Sequence, residues 1–422
     1  MSTPLRVEMI STGNEVLHGE ITDSNAAWLA QKLYQAGLPL AYRSTVGDDL
    51  NALVSCFLAR SHEADIVIVN GGLGPTCDDL SAEAAARAFN QPLVLNHPWL
   101  DRLRQRYEKT GRLMPDSNRK QALLPQHAVL VDNPVGTACG FMLTLPQCLM
   151  FFTPGVPQEF KVMFEQQILP IIQQRFNLPL APICLRVTSF GLSESGIADR
   201  LQHLDIPPDV MLGYRSAMPY IEIKVSGPAA RHNHMLRLMN QISDILDDNI
   251  VFSGEGSLPE QLGDFLALSK ITLSLSETFT GGVVAATLQD DKRTALAVRQ
   301  GWVIGQTDQR LPDNQKLLGH AIAMAEACRE RTGADVGLAT SRILVVDNHI
   351  EVAVALADKR NEYGQRVRLR VRHASEQRIV VTTLLLDMLR RYLEAREIFG
   401  TYEWIEPQEV LTIPKGDGSG GA

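Results

Sequence analysis

The chain has 422 residues, a net charge of −8 and ordinary apolar and charged fractions, which excludes a largely disordered protein and leaves room for two or three cores, since single cores seldom grow past about 250 to 300 residues. An acidic balance without a long basic run disfavours nucleic acid and anionic membrane as partners and favours small molecules. Six scattered cysteines without a Cys-x-x-Cys pair indicate neither a zinc site nor a disulfide framework, and no apolar run approaches the roughly 18 residues of a membrane span, so a cytoplasmic protein is expected.

Leu5–Ile10 reads as a first strand, followed by a polar loop over 11–25 that carries Gly13, Asn14, Glu15, Asp23 and Asn25. A helix from Asn25 to Ala36 has Ala26, Leu29, Ala30 and Leu33 on one face, and Gly37 stops it. Leu38–Val46 is strand-like, Asp48 is placed to cap the next helix, whose apolar face is Leu50, Leu53, Val54, Phe57 and Leu58, and Ala64–Val69 is a buried, β-branched strand. The order βαβαβ implies a parallel sheet covered on both faces, with ligands beyond the strand C-terminal ends.

The third strand feeds Asn70-Gly71-Gly72-Leu73-Gly74-Pro75-Thr76-Cys77-Asp78-Asp79, and a helix-prone run, Leu80–Phe89, leaves it with Asp79 or Ser81 as cap. Glycines let backbone amides approach a ligand, and a helix N-terminus favours an anion, so this loop is a candidate phosphate site. It matches neither the dinucleotide fingerprint nor the P-loop. Its two carboxylates would repel a phosphate unless a hard divalent cation lay between them. A tight turn with a helix cap is the plainer alternative.

Further on, Trp99–Glu108 is helical, Asn118–Ala122 is a short helix whose Lys120 can neutralise phosphate charge, Gly136–Gly140 is a second glycine-bearing turn, and Glu159–Phe176 is a helix closing the first domain. The Pro-containing stretch 177–182 reads as a linker. A small βα module follows, with strands at Ile183–Phe190, Met211–Tyr214 and Tyr220–Ser226 and helices at Ser193–Leu201 and His232–Leu246. A third unit has a helix at Leu258–Leu268, a strand at Ile271–Leu275, and the turn Ser276-Glu277-Thr278-Phe279-Thr280-Gly281-Gly282 into a helix at Val283–Leu288, with no histidine near in sequence to serve as base. Composition makes Pro414–Ala422 a disordered tail.

Read together, Gly13-Asn14-Glu15-Val16-Leu17, Asp23-Ser24-Asn25, Gly71-Gly72-Leu73-Gly74-Pro75-Thr76 and Asp78-Asp79 resemble the competence/damage-inducible CinA family over nearly the whole chain. Asn118-x-Lys120-Gln121-Ala122, Asn133-x-x-Gly136-Thr137-Ala138 and Pro154-Gly155-Val156-Pro157-x-Glu159 resemble further motifs of that family, and the chain looks closest to its enterobacterial nicotinamide mononucleotide (NMN) amidohydrolase-like branch. The resemblance implies an α/β protein with a molybdopterin-binding-like parallel-sheet domain over 1–176, a small α/β middle domain over 177–252, a CinA-type α/β domain over 253–405 and a tail over 406–422. It also implies a homodimer whose first domain hydrolyses ADP-ribose to AMP and ribose 5-phosphate with a divalent metal.

On that reading Glu15, Asp23, Asp78 and Asp79 hold the cation, with Glu15, Asp78 and Asp79 catalytic, while Asn25, Gly71, Gly72, Gly74, Thr76, Lys120, Gly136 and Thr137 bind the nucleotide. Asn14 stands where the family usually has Asp. A pterin or nucleotide binder without turnover is the alternative. The last domain resembles an NMN amidohydrolase, but the family pattern Ala-Glu-Ser-Cys-Thr-Gly-Gly is altered. Thr278 replaces the serine nucleophile beside Thr280, Gly281 and Gly282, and neither the Tyr-Ser-Asn...Lys segment over 301–309 nor the glycine loop after Ala339 is present. This site is expected to be degenerate and without deamidase activity, an active amidohydrolase being the other possibility.

Overall fold

The computed structural model describes residues 5–305, 316–370 and 372–415, in two compact units, one ending at Pro182 and one beginning at Ile183. The end of the 301–309 segment and residues 416–422 of the expected tail lie outside the described residues.

In the first unit β1 (Val7–Thr12), α1 (Asn14–Leu17), α2 (Ser24–Gln35), β2 (Leu40–Val46), α3 (Leu50–Glu63), β3 (Ile66–Asn70) and α4 (Ser81–Ala88) are followed by β4 (Leu93–Leu95), α5 (His97–Lys109), a 3-10 turn at Asp116–Ala122, β5 (Leu123–Pro125), β6 (Val129–Val131), β7 (Gly140–Thr144), β8 (Leu149–Thr153), α6 (Pro157–Met163) and α7 (Leu169–Arg175). The main sheet runs β2-β1-β3-β8-β7-β6. The first four strands are parallel, β7 runs antiparallel to β8, and β6 in turn runs antiparallel to β7, so two antiparallel pairings extend the parallel sheet on one side.

Successive strand residues point to opposite faces, and both faces are apolar. Ile10, Val67, Val69 and Phe152 pack with Leu53, Phe57 and Trp99, whereas Val7, Met9, Ile66, Ile68 and Phe151 pack with Leu29, Leu33 and Phe160. Burial on two sides explains why β3 reads as a continuous apolar run rather than an alternating one.

Three local expectations change. Asp49, not Asp48, caps α3 by accepting the Ala52 amide at 2.8 Å, while the Asp48 carboxylate accepts the Asn14 amide at 2.9 Å. Neither Asp79 nor Ser81 caps α4, whose N-cap is Leu80. The helix expected over Glu159–Phe176 contains a π turn at Phe164–Ile168 just before Pro170, which has no amide hydrogen for the α-helical ladder.

The second unit holds β9 (Ile183–Phe190), α8 (Glu194–Leu201), β10 (Met211–Ala217), β11 (Tyr220–Gly227), α9 (His232–Leu246) and β12 (Ile250–Ser253), and then α10 (Leu258–Ser269), β13 (Leu273–Glu277), α11 (Val283–Gln289), α12 (Lys292–Ala297), β14 (Val298–Val303), α13 (Leu317–Thr332), β15 (Val336–Thr340), β16 (Leu344–Val346), β17 (His349–Ala357), β18 (Asn361–Arg370), α14 (Ala374–Leu393) and β19 (Glu406–Pro414). An antiparallel sheet β10-β11-β9-β12 precedes the larger sheet β14-β13-β15-β17-β18-β19, in which β13, β14 and β15 are parallel. The tail expected from residue 406 is therefore a strand as far as Pro414. Its Val410-Leu411-Thr412-Ile413 run pairs antiparallel with β18, Leu411 opposite Gly364. Pro407 and Pro414 sit near the ends of a ladder that needs no amide from them.

Inside this unit the Asp387 carboxylate accepts from Arg390 at 2.8 Å, Arg391 at 3.0 Å and the Tyr402 hydroxyl at 2.7 Å, all buried. Arg391 also donates to the Asp248 carbonyl at 2.7 Å, which ties α14 to the turn after α9.

Candidate functional site

Strands β1, β3 and β8 each end in a polar residue, Thr12, Asn70 and Thr153, all buried, and the loops that follow enclose a cleft of about 430 Å³ at the C-terminal edge of the parallel strands. The backbone turns sharply there. Gly71 has φ +114° and Gly72 φ +67°, and a Cβ on Gly72 would fall 2.4 Å from the Ser81 hydroxyl, so side chains are excluded at that point. The Ser81 hydroxyl donates to the Gly71 carbonyl at 2.8 Å and its amide to the Gly72 carbonyl at 3.1 Å. These bonds fold the loop back onto the positive end of α4.

The Gly71 amide, expected to face a phosphate, donates instead to the Thr153 carbonyl at 2.9 Å. Among the described residues the amides of Gly72, Leu73 and Gly74 have no partner, and they remain the donors available to an anion. Asp79 accepts the Thr76 amide at 2.8 Å and also its hydroxyl, and Lys120 donates to the Thr76 carbonyl. Thr76 and Lys120 thus brace the loop from behind.

Of the expected residues, Glu15, Asp23, Asn25, Gly71, Gly72, Gly74, Asp78, Asp79 and Thr137 line the cleft, while Thr76, Lys120 and Gly136 do not. The Gly136 amide donates to the Asn133 side-chain oxygen at 2.8 Å, and Asn133 donates to Glu159 at 2.7 Å. Gly136 supports the turn that presents Thr137. Ser11, Thr12 and Asn70, which fell within the candidate loops but were not singled out, also line the cleft; a polar residue closing an apolar strand is the signal that marks Thr12 and Asn70.

The four expected cation ligands are not equivalent. Asp23 is committed to the Ala26 amide at 2.9 Å and the Ser11 hydroxyl at 2.6 Å, with Arg43 at 3.5 Å. Asp79 is committed to Thr76, whereas Glu15 and Asp78 are exposed and form no ion pair among the described residues. Hydrogen bonding from Thr76, and then from its own backbone, holds the Asp78 carboxyl below its ordinary value, with Lys120 adding to the effect. Among the described residues no three His, Cys, Asp or Glu side chains gather into a metal cage. The donor set therefore does not suit a caged ion. Glu15 and Asp78 are the carboxylates that would be left to hold a hard divalent cation.

In the second unit the turn after β13 is closed on itself. The Glu277 carboxylate, 1% exposed, accepts the Thr280 hydroxyl at 2.7 Å, the Gly282 and Val284 amides at 3.0 Å and the Ala285 amide at 2.9 Å. Thr280 also shares a 2.9 Å contact with the Thr340 hydroxyl. Gly281 and Gly282 supply positive φ values of 62° and 96°. Thr278 is buried, and its hydroxyl has no partner among the described residues. Ser276 lines a separate hollow of about 610 Å³ with Trp302, His320 and Arg331, so a histidine remote in sequence is present in this region. Burial, and then Arg342, pushes the His320 pKa down.

Residues 8–174 match the family described as "Probable molybdopterin binding domain". The chain is 44% identical over 411 residues to a "CinA-like protein" of Escherichia coli (strain SMS-3-5 / SECEC), with 97% of this chain and 99% of that protein covered. It is equally similar, over the same shares, to the "NMN amidohydrolase-like protein YfaY" of E. coli K12. Among solved structures, the CinA protein of unknown function from Thermoplasma acidophilum is 31% identical, with 40% of this chain and all of that chain covered and a TM-score of 0.38. Among the described residues no helix is long and apolar enough to cross a membrane.

Proposed function

Since the chain belongs to the family of CinA-like proteins, we propose that its N-terminal domain binds a nucleotide diphosphate such as ADP-ribose in the cleft between β1, β3 and β8 and hydrolyses its pyrophosphate with a divalent metal ion, in a cytoplasmic homodimer. The observation that carries this reading is the set of amides at Gly72, Leu73 and Gly74, unpartnered among the described residues, in the cleft that the exposed Glu15 and Asp78 also line. Those amides bind phosphate oxygens at the positive end of α4, and Thr137 lines the same cleft. Asp79 and Lys120 act through Thr76, holding the loop in the shape that leaves the three amides free. Glu15 and Asp78 are the residues to hold the cation, which when bound polarises the phosphoryl group and lowers the pKa of an attacking water. In the balanced reaction that water adds to one phosphorus, the bridging P–O bond breaks, and AMP and ribose 5-phosphate leave.

The test is AMP release from ADP-ribose by the full-length protein over a panel of divalent ions. Tight binding of ADP-ribose or a pterin without turnover at any metal would instead support a binding protein. The C-terminal domain is proposed to be a scaffold without NMN deamidase activity, a reading supported by the enclosed Thr278 hydroxyl and the self-satisfied Glu277 turn.

A further inference from the structure

We propose that Asn25 is the specificity-determining residue of the N-terminal cleft, reading a ribose hydroxyl of the bound nucleotide through its side-chain oxygen; this rests on the nucleotide reading given above. The orientation of its amide is fixed by its neighbours. Asn70 donates through Nδ2 to the Pro154 carbonyl at 2.7 Å and to the Thr153 hydroxyl at 3.2 Å, which turns the Asn70 oxygen toward Asn25. Asn25 Nδ2 donates to that oxygen at 2.9 Å and to the Gly155 carbonyl at 2.8 Å. Flipping the Asn25 amide would set oxygen against two acceptors, so its nitrogen is spent and Oδ1 remains.

That oxygen is buried, in a residue only 5% exposed, and has no partner among the described residues, yet Asn25 lines the cleft. An unpaired buried acceptor is destabilising until a donor reaches it. An ionised diphosphate has no proton to give, so phosphate is not what Asn25 meets. The donor must nevertheless lie close to the phosphate loop, because a Cβ on Gly155, the residue Asn25 holds, would sit 3.6 Å from the Gly71 Cα. In a nucleotide the donor-bearing group joined directly to the phosphate is the ribose. Asn25 therefore distinguishes a ribonucleotide from bare pyrophosphate, although both satisfy the glycine loop.

Calorimetric binding of ADP, 2′-deoxy-ADP, 3′-deoxy-ADP and pyrophosphate to the full-length protein with magnesium tests this without relying on turnover. One deoxy analogue is expected to bind at least about fivefold more weakly than ADP to the wild type, and to bind Asn25→Ala as tightly as ADP does. Equal binding of ADP and both deoxy analogues by the wild type overturns the assignment even if Asn25→Ala does not fold. So does an equal loss in the variant, or a coupling to Asn25 seen with a pterin phosphate and not with ADP. If ADP and ADP-ribose do not bind at all, the nucleotide reading has failed and this assignment falls with it; if they bind but without coupling to Asn25, only the assignment fails.

Discussion

The Glu277 carboxylate accepts the Thr280 hydroxyl at 2.7 Å while also receiving three backbone amides at the start of α11. The turn that resembles a nucleophile loop is thus held together by its own carboxylate. Thr278, which stands where the family has serine, is enclosed and has no base in hydrogen-bond contact among the described residues. Nucleophilic catalysis needs an activated hydroxyl. Full-length protein is expected to release no ammonia from NMN, and Thr278→Ala to change nothing. Ammonia release on the order of 1 per second or faster, abolished by Thr278→Ala, would overturn this.

Glu277→Ala should unfold the second unit far more readily than Thr278→Ala. It leaves three amides and a hydroxyl without their acceptor, a loss of roughly 2–5 kcal/mol. Chemical denaturation of both variants by circular dichroism checks the order.

Asp78→Ala and Asp79→Ala are each expected to lower metal-dependent AMP release, by roughly 10- to 100-fold, while the fold survives. They should differ in kind. Asp79 accepts both the Thr76 amide and its hydroxyl, so its loss frees the loop backbone and also raises KM, whereas Asp78 is exposed and meets Thr76 through the side chain alone. Steady-state kinetics against ADP-ribose with saturating metal separates the two, and unchanged turnover in both sinks the site assignment.

Gly72→Ala places a methyl group 2.4 Å from the Ser81 hydroxyl in a residue with φ +67°. The loop must shift and the free amides with it. Nucleotide affinity should fall about tenfold or more, which corresponds to about 1.4 kcal/mol, in calorimetric titration of the variant beside the wild type.

Acid should weaken the second unit through Glu326. Arg329 first, and then Lys415, pull its carboxyl down to about 2 from an ordinary 4.5. A depressed carboxylate stabilises the fold fully above its unfolded pKa and loses that contribution as pH falls through the folded value. The loss therefore spans pH 4.5 down to about 2, with an upper size of about 3 kcal/mol. Glu326→Gln should flatten stability over that window in urea titrations. An unchanged pH profile in the variant would remove Glu326 as the cause.

Thiol labelling checks the burial of the cysteines. Cys77 is exposed, while burial pushes the Cys139 and Cys148 thiols up to about 12. A maleimide should modify Cys77 first in native protein, and the other two only after unfolding.

By itself the sequence determined the βαβαβ order, the glycine loop after β3 and the family, because β-branched runs, helical spacing and glycine punctuation are local signals. Leu29 and Leu33 fall on one face of α2, and Val67 and Val69 on one face of β3, as periodicity requires. The altered 276–282 turn was equally legible as a pattern. Tertiary structure alone decided which polar groups meet. Asn25 reaches Asn70 across 45 positions and Gly155 across 130, Lys120 reaches back to Thr76, and Ser276 shares a hollow with His320. No local pattern encodes such pairs. The same holds for β19, expected as part of a tail until β18 offered a ladder, and for Gly71, whose amide seemed free until the strand beside it brought the Thr153 carbonyl within 2.9 Å. Hydrogen-bond partners are assigned by the packed neighbours of a strand end, and those neighbours exist only once the sheet has formed.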